Sequence, residues 1–452
     1  MRPLYRLVFL YIISSTFLTC VIRAALPSES GIAPRADGEP AQFRGGPAHL
    51  GVYASRAPAH LQVRWTFQTK EPIVASPTVA DAVVYIGGWD NFLYALDAVT
   101  GRERWRFDAH GNVNSSCAVA AGMVFSVSLD GRMYAVNTKD GKELWSFATQ
   151  GERRHSGTGM EYAAPATEVM PDPWDFFLSS PCVVEGTVYF GSGDGAVYAL
   201  DAATGKECWR FKTNGPVHAS PAVSENVVYI GSFDSFFYAL DAKTGALKWK
   251  YKTGADDQVH LMTGIPGSAA VANHSVYFGS RDGHFYALDA DTGALRWSYS
   301  ADGSWIVSSP ALANGKVIFA TSDSLKFVVL DAATGAPRFV LPNKIYAFSS
   351  PAIVGDRAWF GTFDGKLHAV DLRRGEYIDE FIVPTAARAD KGILDADGKL
   401  NRSVWQGDTL DDVIVALRTK VFALGSILSS PTVADGTIYI TSVNGCVYAL
   451  GD

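Results

Sequence analysis

The chain is poor in cysteine: there are five in 452 residues, with no adjacent pair and no CxxC spacing. Cys20 lies in the leading segment. Cys117, Cys182, Cys208 and Cys446 are too scattered for a disulfide framework and read as small buried side chains. Lysine and arginine form no block; 39 of them face 46 acidic residues, and the formal charge of -7 is spread along the chain. Nothing there could neutralise a run of phosphates, so nucleic acid is not an expected partner. Beyond the first two dozen residues no apolar run approaches a membrane-spanning length. HExxH, G-x-S-x-G, P-loop and dinucleotide-binding motifs are missing, which removes the common signatures of metalloprotease, α/β-hydrolase and nucleotide chemistry.

What the chain does have is 48% hydrophobic and 12% aromatic residues together with 43 glycines. That composition supplies a large core and many tight turns, and it excludes disorder and coiled coil. The length fits two or three average domains or one large all-β unit. At the start, Arg2 and Arg6 precede an apolar stretch from Leu7 to Leu18, followed by Ala24 and Ala25. This order is that of a secretory signal peptide over residues 1–24, so export to the periplasm or cell envelope, or secretion, is expected. Cys20 raises lipid anchoring as a second reading, although Thr19 before it is a poor match to the small residue such cleavage needs.

Self-similarity dominates the rest. The phrase YALDAATGKECW, ending at Trp209, recurs as YALDAVTGRERW at Trp105, YAVNTKDGKELW at Trp145, YALDAKTGALKW at Trp249 and YALDADTGALRW at Trp297. Degraded copies end at Phe339 and surround Asp371. Ahead of each stands a phrase such as SSPCVVEGTVYFGSGDG, whose short β-branched and aromatic runs read as strands. Each unit therefore holds four strands. Asp194-Gly195, Asp282-Gly283 and Asp364-Gly365 suit the tight second turn, while Asp201 and Gly205 suit an Asx turn with a left-handed residue before the fourth strand. Serines 76, 116, 180, 220, 268, 309, 350 and 430 mark eight units spaced by about 40 residues, with extra residues at three junctions. The arithmetic is that of an eight-bladed β-propeller over residues 62–452, preceded by a lead-in at 25–61 and carrying insertions at 150–178, 254–266 and 384–425. The last unit stops after its third strand, while Trp65 lies in an orphan fourth strand, so that strand is expected to complete the last blade and close the ring. The recurring tryptophans are expected to wedge between blades, and the seventh unit, which offers only Phe381 nearby, is expected to be the loosest.

These repeats resemble the quinoprotein (PQQ-like) propeller family, whose blade signature is close to A-x-D-x-x-T-G-x-x-x-W; the QFRGGPAHLGVY lead-in at residues 42–53 is also common there. The resemblance implies one of two functions. The family includes non-catalytic propellers of the BamB type, which help assemble outer-membrane proteins. It also includes alcohol and sugar dehydrogenases that use pyrroloquinoline quinone and calcium. Many of the alcohol-oxidising members carry adjacent cysteines or a CxxCH haem segment, and this chain has neither. The expectation is a monomeric, cofactor-free scaffold for an exported or envelope polypeptide, with quinone-dependent oxidation as the alternative.

A site is expected where the repetition is interrupted, since long loops on a rigid scaffold carry binding. All three insertions join an outer strand to the next inner strand and so share one rim. Asn114, His218, Trp305 and Tyr346 precede inner strands and are expected at the channel mouth. Trp174 and Trp405 read as exposed anchors for a partner, and His155 and His260 as surface or satisfied histidines. Glu161, Asp175, Asp257 and Asp390 are the candidate bases under the enzyme reading. Thr409 and Asp412, with Val413, Ile414, Leu417 and Val421 at helical spacing, suggest a short amphipathic helix over the face. DADGKLN, with Asp395, Asp397 and Asn401, lacks the remaining ligands of a calcium loop and reads as a solvated turn; no metal is expected.

Overall fold

In the third unit, Cys182–Val184, Thr187–Gly191, Ala196–Asp201 and Glu207–Lys212 pair in sequence order as one antiparallel sheet. The second and third strands are almost wholly buried on both faces, because each sheet is sandwiched between two neighbours. Only the fourth strand alternates exposed and buried positions. The computed structural model describes residues 39–157, 169–172, 174–254, 263–386, 392–395, 401–404 and 415–452. Among these the pattern recurs as eight four-stranded sheets, blades 1 to 8 in chain order. Blade 8 takes its outer strand from the front of the propeller: Gln62–Gln68 pairs with Cys446–Gly451, with Trp65 opposite Ala449 as Trp209 is opposite Ala199. The expected closure is therefore present.

The eight marker serines form a ring of their own. Each backbone amide donates to the hydroxyl of the next blade's serine, from Ser76 to Ser116 at 3.1 Å and onward through Ser180, Ser220, Ser268, Ser309 and Ser350 to Ser430. The Ser430 amide then donates to Ser76 Oγ at 2.8 Å, so the circuit is complete. Serine suits this position because a short hydroxyl can reach a neighbouring amide beside the crowded axis, where a longer chain would fill the channel.

At the outer radius, the repeated phrase clasps one blade to the next. Asp201 Oδ1 accepts from the amide and hydroxyl of Thr204, at 2.8 and 2.6 Å, which makes the expected Asx turn. Gly205 follows at φ 70° and lies against the indole of Trp145 from the preceding blade. Trp145 Nε1 in turn donates to Ala202 O at 3.0 Å. Trp65, Trp105, Trp209, Trp249 and Trp297 repeat the bond on the blade that follows each. The tryptophan and glycine of one phrase therefore serve different junctions.

In blade 7 the position equivalent to Trp209 is held by Asp379, opposite Ala369, and Phe381 sits two residues further on. Phe381 is equivalent to Phe107 of blade 1 and, like it, meets a tyrosine edge-on, so it is no substitute for the wedge. The physical reason lies in blade 8. Its outer strand is Gln62–Gln68, supplied from the front of the propeller, so among the described residues no Asp-Thr-Gly turn joins its third and fourth strands to give a tryptophan of blade 7 a rest.

The lead-in crosses the channel at the end opposite the insertions. Its acceptors take the inward-facing amide at the middle of one inner strand after another. Val119 donates to Ala41 O, Val183 to Gln42 Oε1, Val223 to Pro47 O, Val271 to Ala48 O, Leu312 to Leu50 O and Ile353 to Gly51 O, all between 2.7 and 3.0 Å. Arg44 is buried and donates to Pro351 O at 2.5 Å and Pro310 O at 2.8 Å, pinning the segment across the axis.

Two glycine substitutions separate backbone strain from the clasp. Gly186 has φ 78° with open space where a methyl would go, whereas a methyl on Gly245, at φ 70°, would meet the Trp209 ring at 2.6 Å. Gly186→Ala should cost about 1 kcal/mol for the left-handed backbone. Gly245→Ala should cost about 3 kcal/mol, because overpacking adds to it. Urea unfolding of both variants checks the difference; equal losses would remove the clasp from the account.

Candidate functional site

The first insertion is fastened to the blade 3 and blade 4 rim by charge. Gln150 N donates to Asp194 Oδ2 at 2.9 Å and Arg153 Nε to Gly193 O at 2.9 Å, which ties the insertion to a turn of blade 3. Glu152 then turns inward, where its carboxylate accepts from the Gly193 amide at 2.5 Å and from Ser192 Oγ at 3.2 Å. His218, just ahead of the inner strand of blade 4, lies between Glu152 and Asp175. Its Nε2 is 2.8 Å from Glu152 Oε1 and its Nδ1 is 2.8 Å from Asp175 Oδ1. All three side chains are at most 3% exposed. Burial opposes charge on His218, yet the charge of Asp175 and the hydrogen bonds that the ring donates to both carboxylates prevail and raise its pKa to about 10. Burial also opposes the charge of Asp175, and the imidazolium outweighs it, holding that pKa below the usual carboxylate value.

A second buried pair extends the latch. Arg281, from a turn of blade 5, binds Asp172, and its guanidinium lies 4.5 Å over the Trp305 ring and 5.1 Å over that of Phe233. His155 stacks on Phe233 with ring centres 4.4 Å apart, and its amide donates to the free oxygen of Asp175. Burial lowers the His155 pKa, outweighing the opposing pull of Asp172, while Arg281 adds to the lowering. The insertion thus supplies Glu152, His155, Asp172 and Asp175, and the scaffold supplies His218, Phe233, Arg281 and Trp305. Three carboxylates face two cations within hydrogen-bond reach in a nearly closed site, so the ion pairs fasten the insertion to the scaffold.

Beside the latch, side chains from the first and third insertions fill the channel mouth. Phe176, Val421 and Phe422 pack with Trp89, Trp305, Phe348 and Phe363 in one buried apolar cluster. Phe176 and Phe422 lie 5.8 Å apart, so these two insertions converge. Below them is a small axial cavity of about 50 Å³, lined by the eight marker serines and closed by Phe177 and Leu178 at one end and Phe43 at the other. It has room for roughly three to five waters.

The structure brings four of the expected residues to this mouth. Asn114 is buried and donates to Phe176 O at 2.9 Å, His218 centres the latch, Trp305 lies under Arg281, and Tyr346 meets Phe363 edge-on at 5.9 Å. Trp174 is not the exposed anchor that its position in a loop suggested. It is half-buried against Phe176 and Phe348, because its loop folds inward onto the apolar mouth. His260, Trp405, Glu161, Asp257, Asp390, Asp397 and residues 409–414 lie outside the described residues, as does Cys20. Of the suggested helix, the described part is a helical turn at Leu417–Val421 running into Phe422–Leu424, and Val421 and Phe422 are buried in the plug. Asn401 serves a turn, with its side chain bonded to Gly392 O and Ser403. Sequence reasoning missed Glu152, Asp172 and Arg281. Their partners stand 66 residues away for Glu152 and 109 for the other pair, and no local pattern links them.

The family model described as outer membrane protein assembly factor BamB matches residues 57–173, 171–266 and 258–450. No curated protein matches the chain. Among solved structures, BamB from Moraxella catarrhalis is 17% identical with a TM-score of 0.61, covering 87% of this chain and 98% of that one. The quinohemoprotein alcohol dehydrogenase ADHIIG from Pseudomonas putida HK5 is 17% identical with a TM-score of 0.65, covering 92% and 80%. A computationally designed protein, Ika8, is 16% identical with a TM-score of 0.62, covering 87% and 100%. At such identities the likeness is one of fold, which an assembly factor, an enzyme and a designed protein share.

The latch carries a signed pH dependence. His218, raised from 6.5 to about 10, stabilises the fold fully below pH 6.5, and its contribution is lost as pH rises through about 10. Asp175, lowered from 3.8, contributes above that value and loses its contribution as pH falls through its depressed folded pKa. His218→Gln leaves two buried carboxylates uncompensated and should cost about 3 to 5 kcal/mol. The deficit against the unsubstituted protein, read from thermal unfolding across pH, should be largest between about pH 4 and 6.5 and shrink toward pH 10. A deficit independent of pH would leave His218 a packing residue only.

Proposed function

The chain belongs to the family of outer membrane protein assembly factor BamB, whose model spans nearly all of the eight blades, and on that premise we propose that it is an exported, non-catalytic propeller that binds another envelope polypeptide. The observation that carries this reading is the filled mouth. The place where a flat quinone would lie is taken by Phe176, Phe348, Phe363, Phe422 and Trp305 of the chain itself. Export is supported by the basic, apolar and small-residue order of residues 1–24. Among the described residues no helix is long and apolar enough to cross a membrane.

The mouth does not fit pyrroloquinoline quinone and calcium. Of the candidate bases, Asp175 is the one within the described residues, and both its oxygens are engaged, one by His218 and one by the His155 amide. Among those residues the group with metal-ligand spacing is Glu225, His274 and Asp291, which is exposed on turns of blades 4 and 5, away from the mouth. The test is to incubate purified protein with pyrroloquinoline quinone and Ca²⁺, then follow quinone absorbance and dye reduction with simple alcohols. Neither stoichiometric binding nor turnover is expected; tight one-to-one binding would replace the scaffold reading with the dehydrogenase one.

A further inference from the structure

The lead-in satisfies the inward amide of six inner strands, those of blades 2 to 7. The equivalent amides of blades 1 and 8 belong to Val79 and Val433, and among the described residues no lead-in carbonyl stands opposite either. Among the described residues the lead-in accepts from inner strands of blades 2 to 7 and then passes along blade 8, where Tyr53 Oη donates to Pro431 O and Ser55 Oγ accepts from Gly436 N, so beside it the inner strands of blades 8 and 1 face an opening. A groove of about 620 Å³ occupies it, lined by Val79, Ala80, Val433 and Ala434 together with the first and last turns of the lead-in. The opening is within the size range of ligand sites. A strand-edge amide facing an open groove is a template for pairing, and an extended backbone is the chemistry that already meets such amides five times in the same ring.

Charge decides the kind of backbone. Glu39, Asp81, Glu185 and Asp435 all line the groove, all are exposed, and among the described residues none takes part in an ion pair. No lysine or arginine lines it. The geometry points to a docking groove for an extended basic peptide of a partner protein, whose carbonyls accept from Val79 and Val433 while lysine or arginine side chains meet the four carboxylates. Main-chain pairing would supply affinity and the acidic rim selectivity. This rests on the scaffold reading and gives it a surface and a partner chemistry, on the face opposite the plugged mouth.

The experiment uses the full chain and two fluorescein-labelled octapeptides, one alternating lysine and valine and one alternating glutamate and valine, followed by anisotropy. The lysine peptide should bind saturably and about tenfold more weakly at 0.5 M salt than at 0.05 M, while the glutamate peptide should not bind. Asp81→Asn with Asp435→Asn should weaken binding about tenfold. Both positions have φ near 48°, which asparagine tolerates, so the fold should survive. Asp291→Asn, on an exposed turn of blade 5, controls for net charge and should change nothing. Equal binding of both peptides, or an undiminished affinity in the double variant, would overturn the groove and leave the scaffold reading standing. Binding seen only after removal of residues 1–38 would assign the groove to this chain's own leading segment and overturn the external partner. Failure of the scaffold reading itself would appear separately, as stoichiometric quinone binding.

Discussion

Everything in this molecule depends on the junction between one blade and the next, and at the axis that junction is a single hydrogen bond repeated eight times. The amide of one serine donates to the hydroxyl of its neighbour, and the last returns to the first. A single such bond contributes about 1 kcal/mol. The closed circuit fixes all eight inner strands at one radius, and the tryptophan clasps then fix their outer ends. Where blade 8 takes its outer strand from Gln62–Gln68, no turn of the repeated phrase faces blade 7, and Asp379 stands where the indole would be.

Such a ring has two ends, and the chain closes each with different material. At one end an insertion is fastened by a carboxylate–imidazolium–carboxylate bridge and packed with aromatic side chains. At the other end the lead-in lays five backbone carbonyls and the Gln42 side-chain carbonyl against six of eight inner strands. The first closure is buried, and its three carboxylates are held by one imidazolium and one guanidinium. The second, among the described residues, leaves two inner strands without such an acceptor, and the groove there is open with an acidic rim. The asymmetry between the ends is what turns a repeated scaffold into one with a preferred face.

Much of the fold could be read in the sequence, because its determinants are local or strictly periodic. The Asx turn at Asp201 and the left-handed Gly205 follow from residue chemistry alone. The closing strand at Trp65 followed from counting strands in the last unit. The pairing of Gly205 with Trp145 was hidden, since within the phrase Gly205 is nearer to Trp209. The site was less legible. His218 could be placed at the mouth by its position before an inner strand, but Glu152 and Asp175 reach it from an insertion with no repeat to align. Trp174 looked exposed because loops usually are; this loop carries Phe176 and Phe177 beside it and folds inward. The open amides of Val79 and Val433 could not be seen at all, because they are defined by where the lead-in stops.

The most direct measurement is hydrogen exchange resolved to single amides on the inner strands of the intact protein. The account predicts slow exchange at Val119, Val183, Val223, Val271, Leu312 and Ile353, which donate to the lead-in, and markedly faster exchange at Val79 and Val433. Equal protection at all eight positions would contradict it, by showing that both ends of the ring are closed.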